Sequence, residues 1–299
     1  MIVWRIIDGK PGHENQSAGL VEALGRRAPV SAHDTRPLSL SELIPALWGR
    51  LPARLAALPR PDLLVGAGHA THLGLLALRR AVGGRALVLM RPSLPGRWFD
   101  LCVVPGHDPL PSGEVLVTRG VLNRVRPAPV KDPRQGLILV GGPSAHHGWD
   151  GAALAEQIAA VTAATPARDW TVADSRRTPA GYLDELPLPD AVRRVHWQDT
   201  APGWLPEQLA AATEVWVTED SVSMIHEALS AGAAVGLLSL PRRRQGRLVR
   251  GLDRLVADGL VTPFAAWQAG APLRLPAEPL DEAGRVADAV LARWPELRA

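Results

Sequence analysis

The chain begins with MIVWRIIDGKPGHENQSAGLVEAL, residues 1–24, which has the pattern of a strand, a glycine-containing loop and a helix. Residues 2–7 form a short apolar run of the kind found in buried strands, and residues 16–26 have the length and composition of a helix. The same order of apolar run, polar loop and helical segment recurs along the chain. Fully apolar strands that alternate with helices predict a parallel sheet covered on both faces.

The repeating pattern falls into two cycles. The first predicts strands at residues 2–7, 28–32, 62–66, 86–90, 101–104 and 114–118, and helices at 16–26, 40–57 and 71–82. Residues 126–135, RPAPVKDPRQ, contain three prolines and have the composition of a linker. The second predicts strands at residues 137–140, 169–172, 192–197, 214–217 and 234–238, and helices at 151–164, 221–231 and 281–293.

Two doubly wound, Rossmann-like α/β domains follow from this pattern. A chain of 299 residues has room for two domains of roughly 100–150 residues each. We predict domains at residues 1–128 and 129–299, with the last helix packing back on the first. Ligands bind beyond the carboxyl ends of such strands. We therefore expect the loops at residues 9–15 and 141–147 to face each other across a cleft.

The composition excludes several classes of protein. The formal net charge is +3, and only Lys10 and Lys131 of the 33 basic residues are lysine. So small a net charge does not predict a nucleic-acid partner. Cys102 is the single cysteine, which excludes an intramolecular disulfide and a cysteine-based metal cage. We expect a monomer or a weak oligomer.

The sequence also bears on location. Its N-terminal residues lack the pattern of a signal peptide, and no apolar run approaches the roughly 20 residues of a membrane span. We therefore expect a cytoplasmic protein, with peripheral attachment to the inner face of the membrane as an alternative. The densest basic run is RRRQGRLVR, residues 242–250. Both a solvated helix face and a contact with phosphate or an acidic membrane stay open for it.

Polar side chains concentrate in the loop after the first strand, DGKPGHEN, residues 8–15. Its glycines allow a ligand to approach the backbone closely, and the helix that follows points free N–H groups at the loop. We predict a ligand-binding loop, the alternative being a solvated strand-to-helix turn. The spacing is not that of a Walker phosphate loop. The residues predicted to bind ligand here are Gly9, Lys10, Gly12, His13 and Asn15.

A second loop, GGPSAHHGWD, follows the first strand of the second cycle. Gly141, Gly142 and Ser144 have the backbone N–H groups and the hydroxyl needed to bind phosphate oxygens. Adjacent histidines, here His146 and His147, seldom chelate one ion, and no carboxylate lies at a helical offset from them. Phosphate or sugar binding is therefore favoured over a plain turn and over a metal site.

A third segment, TEDSVSMIHEAL, joins a strand to a helix. Asp220 or Ser221 can cap that helix, whose N-terminus is suited to anions. Glu227 lies four residues after Ser223 and so on the same side of the helix. A carboxylate at this position can bind ribose hydroxyls while the helix start binds a diphosphate. The alternative is an ordinary surface glutamate.

Arginines follow another strand of the second cycle in ADSRRTP, residues 173–179. Arg176 and Arg177 are able to bind phosphate oxygens in a bidentate manner, with Ser175 beside them. A solvated helix start is an equally open interpretation of this segment.

Six segments, in this order, resemble the mitochondrial-fission "elongated mitochondria" family and its bacterial relatives. They are DGKPGHENQSAGL, MRPSLPGRWFDLCVVPGHD, TRGVLN, GGPSAHHGWD, ADSRRTP and TEDSVSMIHEAL. The resemblance covers nearly the whole chain and implies a fold like that of glycosyltransferase-B proteins. Plant members of this family are adaptors for a fission dynamin, which implies a non-catalytic alternative.

A more distant similarity is to the lipid-linked murein N-acetylglucosaminyltransferase. DGKPGH is similar to the glycine-rich loop of that enzyme, and SVSMIHEALSAGAAV is similar to its sugar-nucleotide helix. By this resemblance Glu227 would bind ribose, His13 would face the acceptor, and Gly141, Gly142 and Ser144 would face the diphosphate. The first domain would then be the acceptor side and the second the nucleotide-sugar side.

These features together predict an enzyme that moves a sugar from a nucleotide-diphosphate donor to an unknown acceptor, membrane-associated or not. No metal or other cofactor is expected. His13, or failing it Asp8, would be the general base. The alternative is a binding or adaptor protein that keeps the fold without the chemistry. A nucleotide-sugar epimerase with a YxxxK pair is excluded, because Tyr182, the only tyrosine, is followed by LDE.

Overall fold

The computed structural model describes residues 1–244 and 246–298, which form two compact units. Met1–Arg124 and Asp281–Ala299 belong to the first unit, and Val125–Leu280 is the second. Each unit contains one parallel sheet of six strands with helices packed on it. The prediction of two doubly wound α/β units is confirmed. Among the described residues, no helix has the length and apolar content needed to cross a membrane.

The sheet of the first unit has the strand order β2-β1-β3-β4-β5-β6. Its strands are β1 (Ile2–Ile6), β2 (Ser31–Thr35), β3 (Leu63–Ala67), β4 (Arg85–Leu89), β5 (Leu101–Pro105) and β6 (Val115–Thr118). The helices between them are α1 (Pro11–Gly25), α2 (Leu40–Leu47) and α3 (His72–Val82). This order places the loops after β1, β3 and β4 side by side at one edge of the sheet.

Both faces of this sheet are buried because successive residues of a strand point to opposite sides. Val3 packs in one cluster with Leu20 and Leu24 of α1. Its neighbour Trp4 packs in another with Leu75 of α3. Apolar side chains on both sides explain why the central strands β3 and β5 consist of apolar residues.

The second unit repeats the architecture with the strand order β12-β11-β10-β7-β8-β9. Its strands are β7 (Asp132–Leu139), β8 (Asp169–Ala173), β9 (Arg193–Val195), β10 (Ala212–Thr218), β11 (Ala234–Leu238) and β12 (Thr262–Pro263). Its helices are α4 (Gly151–Ala164), α5 (Tyr182–Glu185), α6 (Trp204–Ala211), α7 (Val222–Ser230), α8 (Arg247–Ala257) and α9 (Phe264–Gln268). Loops after β7, β8 and β10 therefore share one sheet edge.

The last helix, α10 (Glu282–Arg293), belongs to the first unit. Its apolar side, which includes Val286 and Val290, packs in the same cluster as α1. Two polar contacts fix it there: Asp288 pairs with Arg27, and the Arg119 N–H donates to Glu282 Oε2 at 3.0 Å. The chain thus leaves the first unit after Arg124, against a predicted boundary after residue 128, and returns to it at Asp281.

Several element boundaries differ from the predicted ones. The helix α1 begins at Pro11 instead of residue 16, because proline has no N–H to satisfy and suits a first helical turn. The helix α2 ends at Leu47, ahead of the predicted residue 57, and Gly49 follows with a φ of 82°. The strand β2 is Ser31–Thr35 instead of residues 28–32. The strand β7 begins at Asp132, inside the predicted linker.

Candidate functional site

An aspartate and a histidine form a hydrogen-bonded pair at the loop edge of the first unit. Asp8 follows β1 and its side chain is only 2% exposed, while His13 lies in the first turn of α1. His13 Nδ1 is 2.8 Å from Asp8 Oδ2. An ionised carboxylate only accepts hydrogen bonds, so Nδ1 is the donor of this contact, and in a neutral imidazole Nε2 is then the acceptor. This arrangement suits Nε2 to accept a proton.

A glycine in the neighbouring loop leaves the space that the ring of His13 occupies. Gly68 follows β3 with a φ of 85°, and a Cβ there would overlap the ring of His13 and approach Asp8 Oδ2 to 3.2 Å. Gly9, with a φ of 77°, supplies a similar left-handed turn between Asp8 and α1. The sequence analysis did not predict a role for Gly68, which lies in the segment GAGHATH, residues 66–72.

The other predicted residues of this loop lie around the pair. Lys10 precedes α1 as its N-cap, with an exposed side chain and its N–H 3.3 Å from Asp8 Oδ1. Gly12 is exposed in the first turn, and Asn15 is half-buried in the second. Because the helix begins at Pro11, most of the predicted loop is the helix start itself.

Histidine and serine side chains after β3 and β4 continue the same edge. His72 is buried, and its Nδ1 lies 3.0 Å from Ser93 Oγ. Burial lowers the pKa of His72 to about 4, and positive charge on His69 or His13 acts in the same direction. His72 is therefore neutral at pH 7 and places no positive charge beside His13.

The backbone is strained at this edge directly after β4. Met90 has a φ of 67°, in the left-handed region that residues other than glycine rarely adopt. Gln16 Nε2 lies 3.4 Å from its sulfur and 3.3 Å from the Gly12 carbonyl oxygen. Such strain concentrates at functional sites, so this turn belongs to the candidate site.

In the second unit, three loops meet at the carboxylate of Asp220. Gly142 N–H donates to Asp220 Oδ2 at 3.1 Å, and Arg177 Nη2 lies 2.7 Å from the same oxygen. The Asp220 side chain is fully buried, whereas that of Arg177 is 42% exposed. The structure therefore brings together residues that the sequence interpretation took from three separate segments.

The two adjacent glycines permit this meeting. A Cβ at Gly141 would overlap the carboxylate of Asp220, and a Cβ at Gly142 would overlap the Arg177 carbonyl oxygen. The N–H of Gly141 donates to Thr218 Oγ1 at 2.8 Å. Both N–H groups that were predicted to hold phosphate are thus engaged within the protein.

The hydroxyl groups of these loops also make internal contacts. Ser144 Oγ accepts the N–H groups of His146, at 3.2 Å, and of His147, at 3.0 Å, which closes a turn. Ser175 N–H donates to Thr178 Oγ1 at 2.9 Å, and its segment forms turns, the next helix beginning only at Tyr182. The interpretation of this segment as a helix start is therefore wrong. Thr178 and Thr218, which tie the loops together, were missed in the sequence.

The start of α7 is different, because no side chain caps it. Ser221, its N-cap residue, makes no side-chain capping bond, and Ser223 is exposed. The first N–H groups of a helix have no partner within it, and none is found for Val222 or Ser223 in the part of the chain described. Glu227 is half-buried one turn further along. The arrangement is a helix N-terminus open to an anion.

A cluster of buried charges lies beside α7. Arg242 Nε donates to Glu219 Oε2 at 3.1 Å, and His147 Nε2 lies 3.9 Å from that oxygen. Burial raises the pKa of Glu219 and lowers that of His147.

Arg176, another of the predicted phosphate-binding residues, has its guanidinium 5.5 Å above the ring of Trp197. Within residues 1–244 and 246–298, no three His, Cys, Asp or Glu side chains are arranged to hold a metal ion.

Three solved structures share this fold over nearly their whole length. The UDP-GlcNAc 2-epimerase of Methanocaldococcus jannaschii has a TM-score of 0.59 and 11% identity, over 98% of this chain and 100% of that chain. MurG of Acinetobacter baumannii has a TM-score of 0.53 and 13% sequence identity, over 99% of both chains. The calicheamicin glycosyltransferase CalG4 has a TM-score of 0.53 and 15% sequence identity, over 98% of both chains. The chain therefore has the glycosyltransferase-B fold.

The family of the chain follows from its sequence. Residues 11–294 match the family described as mitochondrial fission ELM1, and the chain belongs to that family. No curated protein matches the sequence at a significant level. The resemblance found from the six segments is confirmed. The lack of a YxxxK pair bears only on epimerases that use that pair, and the likeness to the UDP-GlcNAc 2-epimerase is a likeness of fold.

Proposed function

We propose that the second unit binds a nucleotide-diphosphate sugar at the start of α7, and that the protein transfers the sugar to an unidentified acceptor without a metal ion. The observation that carries this proposal is the uncapped N-terminus of α7, with the exposed Ser223 and the half-buried Glu227 on one side. The name of the similar Methanocaldococcus protein includes a UDP-sugar, which supports this class of ligand.

The donor would be held by the dipole and hydroxyls of α7. Its diphosphate would accept hydrogen bonds from the first N–H groups of the helix and from Ser223. Glu227 would accept the ribose hydroxyls. Arg176 is exposed and would add positive charge, whereas Arg177 is already paired with Asp220. These groups would stabilise the charge of the leaving diphosphate.

We assign proton removal to the first unit. His13 Nε2 would take the proton of the acceptor hydroxyl as its oxygen bonds to the anomeric carbon of the sugar. The bond from that carbon to the diphosphate oxygen breaks, and the electron pair leaves with the nucleoside diphosphate. Asp8 is buried against Nδ1, so its role would be to orient the ring and stabilise the imidazolium. This geometry favours His13 over Asp8 as the base.

Calorimetry with uridine, guanosine, cytidine and thymidine diphosphates tests the proposal directly. Binding of one of them, competitive with its sugar conjugate, is the expected result. Absence of binding to all four, with their sugar conjugates also inactive as ligands, would refute the proposed donor site.

Glu227→Ala should weaken nucleotide binding about 10- to 150-fold, because a hydrogen bond to a charged acceptor contributes about 1.5–3 kcal/mol. The melting temperature should stay nearly unchanged, since the side chain is only half-buried. Calorimetry and thermal unfolding of the same variant give the two readouts.

The matched control is Glu156→Ala, which removes an exposed carboxylate from helix α4 of the same unit. It should change neither the affinity nor the melting temperature. A Glu227→Ala variant that binds nucleotide like the wild type would contradict a role of this residue in the site. A lower melting temperature in that variant would show that Glu227 is structural.

Asp220→Asn should tighten diphosphate binding about tenfold, because asparagine keeps the shape but releases the guanidinium of Arg177 for the ligand. The same change should lower the free energy of unfolding by about 1–2 kcal/mol, a modest figure because the 42% exposure of Arg177 lets solvent screen the pair. Calorimetry and denaturant unfolding measure the two effects.

The variant Arg177→Gln distinguishes the effect on diphosphate binding from the effect on stability. It should destabilise the unit to a similar degree without tightening the binding, since the released group is then absent. Weaker binding in Asp220→Asn would contradict the proposal that this carboxylate competes with the ligand for Arg177.

A non-catalytic binding protein is the second candidate. The observation that favours it is the engagement of Gly142 N–H and Arg177 by Asp220, which leaves fewer donors for a diphosphate. Nucleotide binding without release of nucleoside diphosphate, tested with several hydroxyl acceptors, would favour this candidate. Turnover with any acceptor would eliminate it.

A further inference from the structure

Helices α2 and α3, together with the turn that contains Trp98, carry an apolar surface that no described residue of the first unit covers. More than half of the exposed large hydrophobic side chains found in the described residues lie here, and Trp48 is 82% exposed. We name this region the α2–α3 surface. Its apolar members are Leu40, Ile44, Leu47, Trp48, Leu73 and Trp98.

The spacing of the residues on α2 explains their common orientation. Positions 40, 44, 47 and 48 recur at the three- and four-residue intervals that place side chains on one side of a helix. The helix is anchored from its other side, where Ala46 is fully buried. The spacing of these residues therefore places the apolar side of α2 on the outside of the unit.

The surface also contains an open groove of about 550 Å³ with a positively charged rim. Leu47, Leu76 and Trp98 contribute its apolar lining, and three arginines contribute the rest. Arg79 pairs with Asp100 at 3.0 Å. No acidic partner is found for Arg80 or Arg97 within residues 1–244 and 246–298. The rim therefore keeps a net positive charge next to exposed tryptophan and leucine.

We infer that the α2–α3 surface binds an anionic lipid bilayer. Tryptophan and leucine side chains would enter the boundary between headgroups and acyl chains, and Arg80 and Arg97 would contact lipid phosphates. Arginine stems can lie along apolar surface while the guanidinium stays at the headgroups. This inference stands independently of the proposed transfer reaction.

Charge complementarity favours a membrane over a second copy of the chain. A two-fold symmetric dimer presents the same patch from both subunits. Arg80 and Arg97 would then lie against a patch of the same positive charge. Anionic lipids supply the opposite charge across the whole surface.

The test is sedimentation of the full chain with vesicles of phosphatidylcholine and phosphatidylglycerol in equal parts. Binding is expected to the mixed vesicles, to weaken at high salt, and to be much weaker with phosphatidylcholine alone. Removing two rim charges with Arg80→Gln and Arg97→Gln should lower the partition coefficient about 30-fold, as two charges at about 1 kcal/mol each.

Apolar contacts are tested with a matched pair of substitutions. Ile44→Asp should lower vesicle binding at least about tenfold. Leu275→Asp, at a residue of the second unit that is 63% exposed against 61% for Ile44, should have no effect. Melting temperatures of both variants should equal that of the wild type, since neither side chain is buried.

Three results would overturn the inference. One is the absence of wild-type binding to the mixed vesicles, and another is equal loss of binding in Leu275→Asp and Ile44→Asp. The third is a dimer, seen by light scattering, that Trp48→Asp dissociates, because the surface then belongs to a second copy. Nucleotide calorimetry on the same variants keeps this test separate, since failure of either property leaves the other measurable.

Discussion

His13→Asn should lower the rate of sugar transfer about 100- to 10,000-fold, the range that a general base contributes. The affinity of the second unit for nucleotide should not change, because His13 is part of the first unit. Asparagine keeps a polar group beside Asp8 but has no Nε2 to take a proton. Single-turnover release of nucleoside diphosphate measures the chemical step, and calorimetry measures the binding.

His69→Asn is the matched control, since it makes the same change at an exposed histidine on the same sheet edge. It should alter the transfer rate by only a few-fold. An equal loss in both variants would mean that the edge contributes general polarity or packing and that His13 is not the base.

The pairing of His13 with Asp8 has a readout that needs no turnover. Asp8→Asn would place an amide N–H or its oxygen at Nδ1, and the amide can stabilise the opposite tautomer, with the proton on Nε2. Nitrogen NMR of His13 distinguishes the two tautomers. A wild-type ring protonated on Nε2 would contradict the proposed role of Asp8.

Much of the fold was predictable because buried parallel strands consist of apolar residues alone. The structure has β11 at Ala234–Leu238 and α4 at Gly151–Ala164, which are the predicted bounds. The errors in the predicted bounds lie at an edge strand and at the ends of elements. The strand β2 lies at the edge of its sheet beside β1 and has the polar sequence SAHDT, so hydrophobicity favoured the preceding residues. The start of β7 is exposed and polar, and so had the composition of a linker.

The candidate site was predictable in its location but not in its contacts. Loops at the carboxyl ends of strands gave Asp8, His13, Gly142 and Asp220 as candidates. Their pairing depends on the packing of elements far apart in sequence: Gly142 meets Asp220 from 78 residues away. No local pattern encodes such a contact, which is why the glycines were interpreted as a phosphate cradle.

Gly142→Ala should strongly destabilise the second unit. The added Cβ would overlap the backbone carbonyl of Arg177, and backbone cannot move aside as a flexible side chain can. Overpacking of this kind costs about 3 kcal/mol, which corresponds to a fall of roughly 6–12 °C in the melting temperature for a unit of this size.

The same substitution tests how the loops depend on each other. Moving Arg177 away from Gly142 would also loosen its pair with Asp220, so nucleotide affinity should change together with stability. Gly25→Ala is the control, because a Cβ at that glycine meets no atom closer than 4.0 Å and alanine favours the helix α1. Denaturant unfolding should leave Gly25→Ala as stable as the wild type or slightly more so. A Gly142→Ala protein that unfolds like the wild type would mean that the loops after β7 and β8 pack less closely than the structure has them, and that Gly142 is free to bind a ligand after all.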